Sequence, residues 1–143
     1  MPTSFFFTTN EVQGRMSKPS AEKNLTTTNL QGIYYMTSGL WPILHMRSFE
    51  AVTGPKRDKW LVKTVGALIT AIGSTLLFSA AREPDSETAR NLGISTALAL
   101  IGIDSIYSIR GTIPKIYLMD AAVEAAIVAG LLSARSASDG HRK

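Results

Sequence analysis

The chain contains no cysteine and only two histidines, His45 and His141. The missing thiols exclude disulfides, thiolate metal centres, c-type haem attachment and cysteine nucleophiles, and two histidines exclude a histidine-rich metal site. We therefore predict no metal and no cofactor. Charge is also scarce, since 18% of the 143 residues are charged, against roughly 25% in soluble domains. This shortage makes the positions of the charges informative.

The sequence lacks the features of a nucleic-acid-binding protein and of a glycine-rich phosphate-binding loop. The net charge is +4, but the basic residues border hydrophobic segments or lie in the tails. A nucleic-acid-binding protein needs a basic face on a folded surface, so we predict no nucleic-acid partner. Neither GxxxxGK[ST] nor GxGxxG occurs, which excludes the common glycine-rich phosphate loops.

Residues 64–81, between Lys63 and Arg82, form an 18-residue apolar stretch without a charged side chain. A water-exposed helix of this length needs a polar face. This segment offers only serine and threonine hydroxyls, which can bond to carbonyls of their own helix. With 60–62 added it reaches about 20 residues, the length that crosses a bilayer core of roughly 30 Å. We predict a membrane span here, with Trp60 at its border as an interfacial aromatic.

Three further segments have similar length but carry more polar residues. The last, 113–132, contains acids that cost about 2.5–3.5 kcal/mol each at a span centre, so we expect it to insert as a hairpin with the segment before it. The predicted fold is all-α, an integral membrane four-helix bundle with up-down-up-down order. The predicted spans are about 30–53, 60–81, 91–110 and 113–132.

The tails differ from this 30–132 domain. Residues 1–29 are rich in threonine, serine and asparagine and are predicted to form a flexible polar arm, with Met16 as an alternative start. Residues 133–143 are predicted to form a flexible tail.

Pro42 is expected to kink the first span, in which Tyr34 and Trp41 are expected to be interfacial or packing aromatics. Close helix contacts in lipid use small residues, and we expect two such ridges: Gly66, Thr70 and Ser74, and Ala122, Ala126 and Gly130.

The ionisable residues within the spans all fall in the half nearest the turns at 54–59 and 110–112. At 1.5 Å per residue, Glu124 is the deepest, at about 16 Å. Buried charges in membranes face the protein interior and mark candidate ion, proton or ligand sites. The acids outnumber Arg47 and Lys63, so we expect one carboxyl, that of Glu124, to hold a proton. The candidate site residues are His45, Arg47, Glu50, Asp104, Asp120 and Glu124.

Other interpretations of the same residues stay open. In a structural one, Arg47 and Glu50 form an i, i+3 pair and the remaining acids join helices. In an enzymatic one, Asp104, Asp120 or Glu124 acts as a general acid or base. A small multidrug exporter is disfavoured, because its essential glutamate lies in the middle of the first span, whereas Glu50 lies near the end. A non-enzymatic membrane protein with a small-molecule, ion or proton site is the preferred prediction.

The motif FEAVTGPK at 49–56, followed by WLVKTVG at 60–66, resembles a group of small bacterial four-span membrane proteins of unassigned function. The similarity extends over about residues 33–132. It implies a bacterial membrane location and no particular chemistry. The expected partners are the lipid bilayer and either a second copy of the chain or another membrane protein. Basic residues divide almost evenly between the two sides, so the positive-inside rule assigns no orientation.

Overall fold

The computed structural model describes residues 26–140, with side chains described up to residue 133. This part of the chain is entirely helical apart from its turns, which confirms the predicted all-α class. It contains five helices rather than four: α1 (Thr27–Leu44), α2 (Met46–Thr53), α3 (Lys59–Arg82), α4 (Glu87–Ile109) and α5 (Tyr117–Gly140).

The first predicted span, 30–53, is divided into α1 and α2 at His45. The helix runs through Pro42 and ends at His45, whose backbone (φ −142°, ψ 70°) is not helical. The His45 imidazole accepts a hydrogen bond from the Ser48 N–H at 3.2 Å and so caps α2. Trp41 holds α2 against α1, because its indole N–H donates to the Ser48 hydroxyl at 2.7 Å and its ring meets Phe49 edge-on.

The outer boundaries also differ from those predicted. Thr26 caps α1 by accepting a hydrogen bond from the Asn29 N–H at 3.2 Å, so the helix begins before residue 30. The rest of the predicted arm lies outside the described residues. At the other end α5 continues to Gly140, and residues 133–140 are helical instead of a flexible tail.

Pairs of glycines bring α1 and α3 into close contact. A Cβ added to Gly73 would lie 2.8 Å from the Gly32 carbonyl oxygen, and one added to Gly66 would lie 3.2 Å from the Pro42 ring. Gly39 faces Gly66 in the same way. The glycines are seven residues apart on each helix, the spacing of a coiled-coil seam, and the pairing is antiparallel. The predicted ridge on α3 is therefore correct at Gly66 and at Thr70, which lies against Gly39, and wrong at Ser74, which is exposed.

The second pair of helices is formed by α4 and α5, which pack against each other. Ala97 of α4 and Ala121 of α5 are buried. The ridge predicted on α5 is wrong at Ala122 and Ala126, which are exposed, since α5 turns its Ala121 face inward. Gly130 does make a contact, because a Cβ there would lie 2.9 Å from the Thr27 side chain.

The two pairs meet mainly near one end. There, the Gln31 amide of α1 donates to the Gly93 carbonyl of α4 at 2.9 Å, and Tyr35, Leu76 and Ala89 form a buried core. At the other end, which carries the turns at 54–58 and 110–116 and is called the loop end below, the pairs separate. A cavity fills the space between them.

The outer surface of α3 and α4 is apolar. Both helices are long and apolar enough to cross a membrane, and only 17% and 22% of their most apolar stretches are buried. A helix in the core of a soluble protein would be mostly buried. Instead, Trp60, Leu68 and Phe78 are exposed. Within the residues whose side chains are described, α3 and α4 are the two helices with this length and apolar character.

Candidate functional site

A cavity of about 900 Å³ lies between the two helix pairs at the loop end. All five helices contribute to its wall. Most lining side chains are aliphatic or aromatic, and several, including Leu61, Val65 and Ile103, are also exposed at the surface. The wall also contains three carboxyl groups, which we call the acid cluster: Asp104 of α4, and Asp120 and Glu124 of α5.

Glu124 is fully buried and is the end of a chain of hydrogen bonds. The Tyr35 hydroxyl donates to Glu124 Oε2 at 2.9 Å. The Gln31 amide in turn donates to the Tyr35 hydroxyl at 3.1 Å and to the Gly93 carbonyl. The other carboxyl oxygen, Glu124 Oε1, is buried with no hydrogen-bond partner. Since buried polar atoms are nearly always paired, this oxygen is available to a further donor.

Asp120 and Asp104 form the second part of the acid cluster. The Tyr34 hydroxyl donates to Asp120 Oδ1. Asp104 is 6% exposed and is a neighbour of Asp120, and its Oδ2 has no hydrogen-bond partner. Two carboxyl groups can form a hydrogen bond only when one of them carries a proton.

The acid cluster has no basic counterpart within residues 26–133. The ion pairs in this range are Lys59–Glu50 and Arg90–Glu87, and neither involves the cluster. Arg47 and Lys63, which were predicted to balance the acids, are exposed. Neither of them forms an ion pair with the acid cluster, so the expected pairing of these basic residues with the acids is absent from the described residues.

Three of the six predicted site residues lie apart from the acid cluster. His45 and Arg47 are exposed, and His45 acts as a helix cap. Glu50 does not pair with Arg47 as the structural interpretation predicted. It accepts hydrogen bonds from the Lys56 backbone N–H at 3.0 Å and from Lys59 Nζ at 2.9 Å. The Lys56 N–H, followed by the Lys59 ammonium, holds the pKa of Glu50 below its usual value.

Sequence reasoning missed three residues that complete the site. Tyr34 and Tyr35 donate to the acid cluster, and Gln31 orients Tyr35. Tyr34 was assigned to interfacial or packing aromatics, and Gln31 was given no role. Their spacing was the available signal, since Gln31 and Tyr35 are four apart and share one face of a helix.

No group of three or more histidine, aspartate or glutamate side chains is arranged to hold a metal ion in the part of the chain that the structure describes. The acid cluster is instead a set of three carboxyls, of which those of Asp120 and Glu124 accept hydrogen bonds from the phenols of Tyr34 and Tyr35. No family model, curated protein or solved structure matches the chain. What the site does must therefore be argued from its own chemistry.

Proposed function

We propose that the chain is a multi-pass membrane protein in which α1, α3, α4 and α5 cross the bilayer in up-down order. The apolar exposed surfaces of α3 and α4 support this proposal. So do the hydroxyl groups on the outer faces, which bond within their own helices: Thr75 donates to the Ala71 carbonyl at 2.9 Å and Ser74 to the Thr70 carbonyl at 2.8 Å. Such groups require no water. In this arrangement α2 lies at the membrane boundary.

Fractionation of cells that express the chain tests this placement. The protein should sediment with membranes, remain there after an alkaline carbonate wash and enter solution only with detergent. Recovery in the aqueous fraction without detergent would refute the membrane assignment.

The function that the geometry supports best is reversible binding of a proton or another cation by the acid cluster. The observation that carries it is a group of three carboxyls on the cavity wall without a basic partner in the described residues, two of which have a buried oxygen without a hydrogen-bond partner. Leaving several unpaired negative charges in a low-dielectric site is strongly unfavourable, so a cation must join them. The nearest available one is a proton held between Asp104 and Asp120.

Infrared spectroscopy of the purified protein in lipid measures this proton directly, through the C=O band of a protonated carboxyl. We expect a band that titrates with pH in the wild type and is lost in both Asp104→Asn and Asp120→Asn. Glu50→Gln is the matched control, because Glu50 lies outside the acid cluster and has basic partners, and it should retain the band. If both cluster variants keep the wild-type titration, the carboxyls only join helices.

A further inference from the structure

The cavity is far larger than a proton or a metal ion requires. Its volume of about 900 Å³ is within the range of roughly 300–1,000 Å³ that holds small organic ligands. The wall also resembles that of a site for a small organic ligand, because such sites are mostly apolar and contain a few convergent polar groups. The polar groups converge at one place, the acid cluster.

The unpartnered atoms specify the charge of an occupant. Glu124 Oε1 and Asp104 Oδ2 are able to accept hydrogen bonds, but neither has a donor. The carboxyls also have no ion pair with a basic side chain in the described residues. An anionic ligand would add to the unbalanced negative charge, and a neutral one would leave it unchanged. A ligand with a positively charged group would offset it.

The aromatic part of the wall already holds a cation. The Lys56 ammonium lies 5.0 Å from the centre of the Tyr117 ring and 6.0 Å from that of Phe49, and both rings line the cavity. Attraction between a cation and an aromatic face operates within about 6 Å. The same rings therefore present a cation-compatible surface on the wall of the cavity that contains the acid cluster.

From these observations we infer that the cavity binds a lipophilic organic cation, with its apolar body against the aliphatic and aromatic wall and its positive centre at the acid cluster. The inference rests on the proposed function, because it takes the same carboxyls as the cation site. It adds the substrate class: an organic ion whose hydrocarbon surface is large enough to fill the space between the helix pairs.

Binding of tetraphenylphosphonium and tetraphenylborate, two ions of the same shape and opposite charge, tests the inference. Trp41 lines the cavity and is one of two tryptophans, so a Trp60→Phe background makes its fluorescence the single reporter. We expect saturable quenching by the phosphonium cation and none by the borate anion. Asp120→Asn should weaken cation binding about tenfold, the effect of losing one charged partner, whereas Glu50→Gln should not change it.

Three outcomes would overturn the inference: no saturable binding of the cation, equal binding of both ions, or a dissociation constant for Asp120→Asn within twofold of the wild type. Asp104→Asn repeats the test if Asp120→Asn fails to fold. The infrared titration separates the two levels of the hypothesis. A titrating carboxyl band without phosphonium binding refutes the organic ligand alone, and absence of both refutes the cation site as well.

Discussion

At the scale of single residues, the site depends on hydroxyl groups that bring hydrogen-bond donors to buried acids. Tyr35 is completely buried and both donates to Glu124 and accepts from Gln31. Removal of its oxygen would leave the buried Glu124 Oε2 without its donor and would take from the Gln31 amide one of its two hydrogen bonds. Unpaired buried groups of this kind destabilise a fold more than a lost surface contact does.

Tyr35→Phe should therefore lower the free energy of unfolding by about 1–3 kcal/mol. The measurement is reversible unfolding in mixed detergent micelles, followed by circular dichroism. Tyr107→Phe is the matched control, because Tyr107 is exposed and its change should stay within about 0.5 kcal/mol. Equal losses in the two variants would contradict the role assigned to the Tyr35 hydroxyl.

The acids themselves could be predicted from sequence, whereas their partners could not. Asp104, Asp120 and Glu124 stand out because charge is rare in apolar segments. Tyr34, Tyr35 and Gln31 do not, because tyrosine is common at membrane boundaries and one glutamine in a polar stretch carries no signal. Their roles depend on how α1 is rotated about its axis relative to α5, which local sequence does not determine.

At the scale of helices, the contact between α1 and α3 depends on four glycines: Gly32, Gly39, Gly66 and Gly73. Because backbone faces backbone there, no side chain can move aside to admit a methyl group. The sequence analysis expected small residues on this face of α3 but placed them four apart, as Gly66, Thr70 and Ser74. The glycines that make the contact are instead seven residues apart, which is the spacing of a coiled-coil seam.

Gly73→Ala should destabilise the protein by about 1–3 kcal/mol, the usual range for overpacking, because the new Cβ would lie 2.8 Å from backbone atoms of Gly32 and Met36. Gly102→Ala is the control, since nothing lies within 4 Å of its added Cβ. Alanine there should be neutral or stabilising by up to about 1 kcal/mol. Thermal unfolding of both variants in one detergent checks the difference, and a loss at Gly102 as large as that at Gly73 would contradict it.

The segment between α2 and α3 is held by Glu50, and this contact should depend on pH. The pKa of Glu50 is lowered in the folded protein from 4.5, so its ionised form is favoured by folding. The stabilisation is then complete above pH 4.5 and is lost as the pH falls through the lower folded value. Melting temperatures of the wild type and Glu50→Gln should differ at neutral pH and converge in acid. A constant difference would show that Glu50 acts through packing.

At the scale of the molecule, two helix pairs meet near one end and separate at the other. The all-α class and the approximate bounds of α3 and α4 follow from the distribution of charge along the chain. The division at His45 was missed because 30–53 is continuous in hydropathy, and the cavity was missed because it arises from the angle between pairs. Helix angles depend on contacts that are distant in sequence, such as that of Gln31 with Gly93.

Cysteine labelling tests this arrangement, since the natural chain has no thiol. Val123 lines the cavity, whereas Leu98 is exposed on α4 and absent from the cavity wall. In a bilayer, a water-soluble maleimide should label Val123→Cys from the loop end and leave Leu98→Cys unlabelled. Equal labelling of the two thiols would mean that the surface of α4 meets water instead of lipid.

The opening between the helix pairs has a consequence for the surrounding lipid. Ile103 and Met119 border it and are exposed, so within a bilayer this border faces hydrocarbon. An apolar recess of this size next to fluid chains will not stay empty, and acyl tails will enter it from the side. Tails with different saturation fill such a recess to different extents. The host membrane would thereby adjust how readily the recess accepts any other occupant.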